Sequence, residues 1–211
     1  HLVTKWKTAG DSITAALRLA RPDSKNILIV GAGTVGQSLF DAYSAAFPKA
    51  NFLVWNRTHE RALYMVKNKS NAVAVENLEA GVKRADIITC ATMSKQPIIK
   101  GEWLIPGQHL DLIGAYRPDM REVDDLALCR STKFVDSYDT TLDHIGELKI
   151  PLKNNVISRA DILADFYGLG DFIRRSNDEI TFFKNGGGAH LDLIVAKYIL
   201  TAWEKNKYPK S

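Results

Sequence analysis

Six consecutive residues, Gly31-Ala32-Gly33-Thr34-Val35-Gly36, constrain the fold of this chain more than any others. They directly follow Asn26-Ile27-Leu28-Ile29-Val30, a continuous apolar run typical of a strand buried on both faces, and they open a helical stretch from Val35 to about Phe47. The pattern G-x-G-x-x-G is weak by itself. Between a buried strand and a helix, each glycine acquires a purpose. Gly31 permits the tight turn, Gly33 lets a pyrophosphate approach the backbone, and Gly36 lets the helix pack closely on the strand. The free amides and positive dipole end of that helix then hold the diphosphate. The segment predicts a dinucleotide-binding βα turn.

The rest of the chain continues the alternation. Strands are expected at Phe52-Leu53-Val54-Trp55, Ala72 to Val75, Asp86 to Thr89, His109 to Ile113, Phe134-Val135-Asp136 and Ile180 to Phe183, with a helix starting near Thr58. Strands alternating with helices imply right-handed crossovers, hence a Rossmann-type, doubly wound parallel sheet of the α/β class. Residues 23 to about 150 suffice for a complete dinucleotide-binding unit. Upstream, Thr8-Ala9-Gly10-Asp11 reads as a capping box, with Ile13, Ala16, Leu17 and Ala20 on one helical face before Pro22. Downstream, Asn185-Gly186-Gly187-Gly188 reads as a flexible turn. Leu191, Ile194, Val195, Tyr198 and Trp203 then mark an apolar helical face. Neither terminal face is needed by the sheet, so both are expected to pack on something else.

Composition narrows the partners. The 211 residues are 45% hydrophobic and carry a formal charge of +4, but the basic residues are scattered. The densest runs, Arg174-Arg175 and Lys205-Asn206-Lys207, read as solvated surface, which disfavours nucleic acid and leaves a small anionic ligand. Two cysteines, Cys90 and Cys129, provide neither a disulfide framework nor metal-ligand spacing; both are expected as buried thiols in a reducing cytosol. No apolar run approaches the ~18 residues of a membrane span and no signal peptide is visible. The chain opens on His1 instead of Met, so residues upstream are expected in the native protein.

At the end of the second strand an NAD-selective site carries an acid for the ribose 2′-hydroxyl. Here the residues are Asn56-Arg57-Thr58, with Arg61 one turn on. No carboxylate repels a 2′-phosphate and Arg57 can pair with one, so NADP(H) is favoured over NAD(H), which stays possible. Three loops beyond other strand ends, Cys90-Ala91-Thr92-Met93, Gly114-Ala115-Tyr116-Arg117-Pro118 and Ser137-Tyr138-Asp139, are candidates for nicotinamide and substrate contacts.

Several of these segments, in this order, resemble the ornithine cyclodeaminase/mu-crystallin family. Lys7-Thr8-Ala9-Gly10-Asp11-Ser12 is similar to its Arg-Thr-Ala-Ala segment. The glycine loop, Thr92-Met93-Ser94, the stretch from Gly114 to Glu122, Gly146-Glu147-Leu148 and the stretch from Thr181 to Asp192 are similar as well. The resemblance implies a cytosolic homodimer in which a Rossmann domain sits inside a second domain, built from an N-terminal region absent here plus the C-terminal helix. Residues 1–22 would then belong to the substrate and dimerisation domain, 23–183 to the NAD(P) domain, and 184–211 would return to the first.

The resemblance also implies roles. Lys7 stands where the family has an arginine that touches substrate carboxylate and cofactor. Thr8, Thr34, Val35, Thr92, Ile113, Gly114 and Asn185 match cofactor-contacting positions, and Gly186 matches one near the substrate. Tyr116, a candidate catalytic and substrate-binding residue, stands where cyclodeaminases have an aspartate for the substrate's side-chain amine. A tyrosine hydroxyl, with an ordinary pKa near ~10, supplies no such charge at neutral pH. Members without the aspartate are more similar to reductases of cyclic or linear imines, of the ketimine and pyrroline-2-carboxylate types. The expected function is therefore reduction of a small α-imino acid; the alternatives are ornithine cyclodeamination to proline and ammonia, and a non-catalytic NADP(H)-binding crystallin.

Overall fold

A computed structural model describes residues 2–207. The sheet is parallel throughout, in the order β3-β2-β1-β4-β5-β8-β6-β7. Its strands are β1 (Asn26–Val30), β2 (Asn51–Trp55), β3 (Ala72–Ala74), β4 (Ile87–Cys90), β5 (His109–Leu112), β6 (Thr132–Val135), β7 (Ile162–Ala164) and β8 (Thr181–Lys184). The expected strands are all present, with ends moved by a residue or two. One strand is additional: β7, three residues long, pairs with β6 at the sheet edge.

Alternate residues of the central strands feed two helical layers, as a strand's period of two requires. Ile27 and Ile29 of β1 pack with α2 (Thr34–Ala46) through Leu39 and Tyr43. Leu28 and Val30 face the other layer, where α4 (Leu78–Arg84), α5 (Asp125–Cys129) and α7 (Gly146–Lys153) contribute Val82, Leu128 and Leu148. Helix α3 (His59–Val66) follows β2, and α6 (Tyr138–Thr141) follows β6. Because β2 and β3 lie on one side of β1 and β4 and β5 on the other, the chain reverses between β1 and β4 and leaves a crevice beyond their carboxyl ends.

The first helix, α1 (Leu2–Leu19), departs from expectation twice. It starts upstream of Thr8, so Thr8 and Asp11 lie inside it and cap nothing; a helix interior leaves no free amide for them to satisfy. It also belongs to the body. Ala9, Ala16 and Ala20 pack with β1 and α2, while Ala15 and Leu19 pack with Phe134, Phe172 and Phe183. Ile13 is half-buried in this packing and Leu17 remains exposed. A buried polar joint adds to it: Asp111 on β5 accepts from Ser12, from the Tyr43 hydroxyl at 2.9 Å and from Thr89 at 2.7 Å, tying α1, α2 and β4 to one carboxyl.

Two surface expectations are corrected. Arg174 is half-buried and staples the amino edge of the sheet, its Nε donating to the Leu19 carbonyl at 2.9 Å and its guanidinium also reaching Gly107, Gln108 and Glu179 carbonyls. Cys129 is exposed, whereas Cys90 is buried. The side chains of residues 205–207 lie outside the described residues. Helix α8 (Ala189–Lys207) leans on α1 and exposes Leu193, Ile194, Tyr198, Ile199, Leu200 and Trp203, while Leu191 and Val195 are half-buried. Among the described residues no helix is long and apolar enough to cross a membrane.

Candidate functional site

The glycine loop is shaped by backbone crowding. Gly31 has φ +113° and donates its N–H to the Trp55 carbonyl at 2.8 Å; a Cβ there would stand 2.7 Å from the Ala91 carbonyl oxygen. A Cβ on Gly36 would run into the Gly31 carbonyl, so that glycine is required for the helix to sit on the turn. Gly33 differs. It is the N-cap of α2, with ordinary extended dihedrals, and a Cβ there would meet nothing within 4 Å. The space over Gly33 is open, and the first helical hydrogen bond is Gln37 N–H to Gly33 carbonyl, which leaves the amides of Thr34, Val35 and Gly36 facing it. No acidic residue stands in that first turn. This cradle fits a pyrophosphate.

A cleft of about 430 Å³ runs from Gly31, Gly33 and Thr34 to Asn56, Arg57, Thr58 and Arg61 on one side and to Ala91, Thr92 and Met93 on the other. A second hollow of about 610 Å³ continues from Gly33, Thr34 and Arg61 towards Lys5 and Gln37. Both volumes lie in the range of cofactor sites. Asn56 braces the loop: its carbonyl oxygen accepts from Ala32 N–H at 3.0 Å and its amide donates to the Thr58 carbonyl at 2.9 Å. An aspartate could accept from Ala32 equally well but could not donate to Thr58, so the asparagine joins two backbone turns without adding negative charge. Arg57 and Arg61 are exposed beside it. Thr58 holds the N-cap position of α3 with no side-chain cap bond.

Glu122 organises the opposite wall. Its fully buried carboxylate accepts from Thr92 N–H and Thr92 Oγ1, both at 2.8 Å, from Gly114 N–H at 2.8 Å and from Ala115 N–H at 3.2 Å. One side chain thus joins the loops after β4 and β5. Glu147, also fully buried, accepts from the N–H groups of Glu122 and Val123 at 2.7 and 3.1 Å. Burial first, then the neighbouring Glu122 charge, raises the Glu147 pKa to about 7. The sequence alone assigns neither glutamate a role, although both fall within segments that resemble the family. Their meeting across a separation of 25 residues is a product of the fold. Gly114 is required here, because a Cβ would collide with Thr92 backbone atoms. Ile113 closes the end of β5, its N–H donating to Cys90 carbonyl at 2.9 Å.

The third cluster surrounds the turn after β8. Lys7 donates to the Gly187 carbonyl at 3.3 Å and pairs with Asp192 at 2.8 Å. Asp136, fully buried, accepts from Gly187 N–H at 2.8 Å. A Cβ on Gly186 would press on Thr141 and Thr140 at 2.7 and 2.9 Å. The turn expected to be flexible is thus tied at both backbone polar groups of Gly187 and packed beneath Gly186. Asn185 is buried, its backbone N–H donating to Leu112 carbonyl at 3.1 Å. Thr8 is half-buried on α1, one residue beyond Lys7. Tyr116 is exposed on the loop after β5, and Asp119 in the same loop is paired with Lys95 at 2.9 Å and Arg117 at 3.5 Å.

Residues 1–207 match the model of the ornithine cyclodeaminase/mu-crystallin family. The chain is 50% identical over 206 residues to Delta(1)-pyrroline-2-carboxylate reductase of Paracoccus denitrificans, covering 94% of this chain and 65% of that one. It is 32% identical over 212 residues to ketimine reductase mu-crystallin of Mus musculus, covering 98% and 64%. Among solved structures, Thermococcus litoralis Delta(1)-pyrroline-2-carboxylate reductase, in complex with NADH and L-proline, superposes with a TM-score of 0.88 at 30% identity, covering 93% of this chain and 64% of that one. This chain therefore spans slightly less than two thirds of the length of each. On both sequence and structure, the chain belongs to the ornithine cyclodeaminase/mu-crystallin family.

Proposed function

We propose that the protein carrying this chain is an NADPH-dependent reductase of cyclic α-imino acids, of the pyrroline-2-carboxylate or ketimine type. The observation that carries this reading is the 50% identity with the Paracoccus reductase over nearly the whole chain. Tyr116 supports it. It offers an uncharged hydroxyl at the substrate edge, and the nearest acid in its loop, Asp119, is already held by two cations. A distal ammonium such as that of ornithine has no aspartate at position 116 to pair with.

The glycine cradle and the amides of α2 would hold the pyrophosphate, Arg57 and Arg61 a 2′-phosphate, and the Thr92 and Gly114 loops the nicotinamide end. When bound, the dinucleotide supplies a hydride for the imine carbon. Glu122 keeps the two loops at a fixed separation. Lys7, paired with Asp192, presents a cation that a substrate carboxylate can share, although an ammonium lacks the bidentate fork of the family's arginine. Free Cys129 and the exposed apolar face of α8 support the further proposals of a reducing, cytosolic location and a homodimer.

The test supplies pyrroline-2-carboxylate with NADPH and, separately, ornithine with NAD, and follows proline in each. Faster proline formation from the imine is expected. Faster formation from ornithine overturns the reading in favour of a cyclodeaminase, and no turnover of either favours a binding protein. Tyr116→Asp is expected to move the balance towards ornithine.

A further inference from the structure

The Lys7 side chain is 10% exposed, and two of its three N–H groups are committed, one to the Gly187 carbonyl at 3.3 Å and one to the Asp192 carboxylate at 2.8 Å. One N–H remains. Asp192 stands in the first turn of α8, where the positive end of the helix dipole favours an acid, and its side chain is 58% exposed. The second lysine at this edge, Lys184, is fully buried and donates to the carbonyls of Leu112 and Asn185, out of a ligand's reach. Further along the edge, Arg117 and Lys95 already share Asp119.

This arrangement sets a charge limit. A ligand oxygen that accepts the remaining N–H lies within about 6 Å of the Asp192 carboxylate, because both oxygens are then bonded to one nitrogen. That distance is shorter than the ~8 Å over which physiological salt screens a charge. A ligand's first carboxylate is repelled by Asp192 but bonded to Lys7, so the two effects oppose each other. A second carboxylate on the same small ligand meets the repulsion alone. Asp136, fully buried and accepting from the Ser137 and Gly187 N–H groups, adds charge of the same sign. A neutral group in the same place carries no such penalty.

We propose that Asp192 is a specificity-determining residue that balances the charge of Lys7 and so restricts the site to α-imino acids with a single carboxylate. The assignment rests on the imino-acid reading above, in which Lys7 takes the substrate carboxylate, and it adds which members of that class are excluded. Asp192 need touch no reacting atom, since it acts through its charge beside the Lys7 ammonium.

The test uses three planar, unreactive analogues of a cyclic imino acid: pyrrole-2-carboxylate, its 5-carboxamide and its 5-carboxylate. The last two have nearly the same shape and differ by one charge. Each is titrated into the protein carrying this chain, saturated with NADP⁺, as wild type, Asp192→Asn and Lys7→Gln. Asparagine keeps an oxygen for the Lys7 ammonium, so Asp192→Asn removes the charge without removing the contact. We expect the wild type to bind the carboxamide more tightly than the dicarboxylate. Asp192→Asn should shrink that preference about threefold, the size expected of a charge more than half exposed. Raising the salt concentration should shrink it in the wild type as well, a measurement that needs no variant. An unchanged preference in Asp192→Asn, or a loss of all three ligands by one factor, makes Asp192 merely structural and overturns the proposal. So does a wild type that binds the dicarboxylate as tightly as the carboxamide. Failure of the wild type to bind pyrrole-2-carboxylate, or undiminished binding of it by Lys7→Gln, overturns instead the imino-acid reading that places a carboxylate on Lys7.

Discussion

Arg57 and Arg61 stand one helical turn apart at the mouth of the cleft, and the asparagine before them carries no charge. A 2′-phosphate there gains charge-assisted hydrogen bonds that a 2′-hydroxyl cannot match. Arg57→Ala should therefore weaken NADPH roughly tenfold and leave NADH nearly unchanged, measured as dissociation constants at fixed ionic strength. Equal losses for both would remove the preference. On the opposite wall, Glu147 is a buried acid whose folded-state pKa, about 7, lies above its ordinary value of 4.5. The folded protein then binds more protons than the unfolded chain between those values, so this residue's contribution to stability falls as pH rises from about 4.5 to about 7. Buried neutral His109, lowered to about 3, contributes the opposite slope below its ordinary 6.5. Subtracting the melting profile of Glu147→Gln from that of the wild type isolates the Glu147 contribution, and a difference flat across that interval would contradict it. The glycine loop and Asn56-Arg57-Thr58 are legible in the sequence because their chemistry is local. Glu122 and Glu147 are not, since their surroundings are supplied by strands and loops remote in sequence.

Element scale shows the same division. The buried strands announce themselves as apolar runs, and the Gly31 turn follows from its neighbours. The place of β8 between β5 and β6 does not, because a strand's sequence does not state which crossover brings it back. β7 escapes a sequence reading because three residues, Ile162–Ala164, carry almost no period. The start of helix α1 is hidden because Thr8 and Asp11 imitate a cap while lying mid-helix, and its burial against α2 rests on small alanines that barely register as an apolar stripe. The face left over is on α8, where Leu193, Ile194, Tyr198, Ile199 and Leu200 are exposed. A patch of that kind drives self-association or binds apolar dye. We expect the 211-residue chain to do one or the other, and the double substitution Ile194→Glu, Tyr198→Glu to suppress it. A monomeric chain with no dye response would mean that this face needs no cover.

Across the whole molecule, the parallel sheet brings the carboxyl ends of β1, β2, β4, β5 and β8 to one edge; the candidate residues of the glycine loop, Asn56 to Thr58, Ala91 to Met93, Ile113 to Tyr116 and Asn185-Gly186 follow those strand ends, Arg61 lines the same cleft, and Lys7 reaches it through the Gly187 carbonyl. The central claim is that this edge is a dinucleotide site organised on Gly33. Its most direct measurement is a titration of NADPH into the chain, followed by the fluorescence of the reduced ring, beside the same titration of Gly33→Val. A side chain at Gly33 meets no protein atom within 4 Å, so the variant should fold with an unchanged melting temperature while its branched group fills the space meant for phosphate. The account predicts saturable NADPH binding by the wild type and loss of at least tenfold in affinity, about 1.4 kcal/mol, in the variant. A folded Gly33→Val that binds NADPH as tightly as the wild type would contradict it.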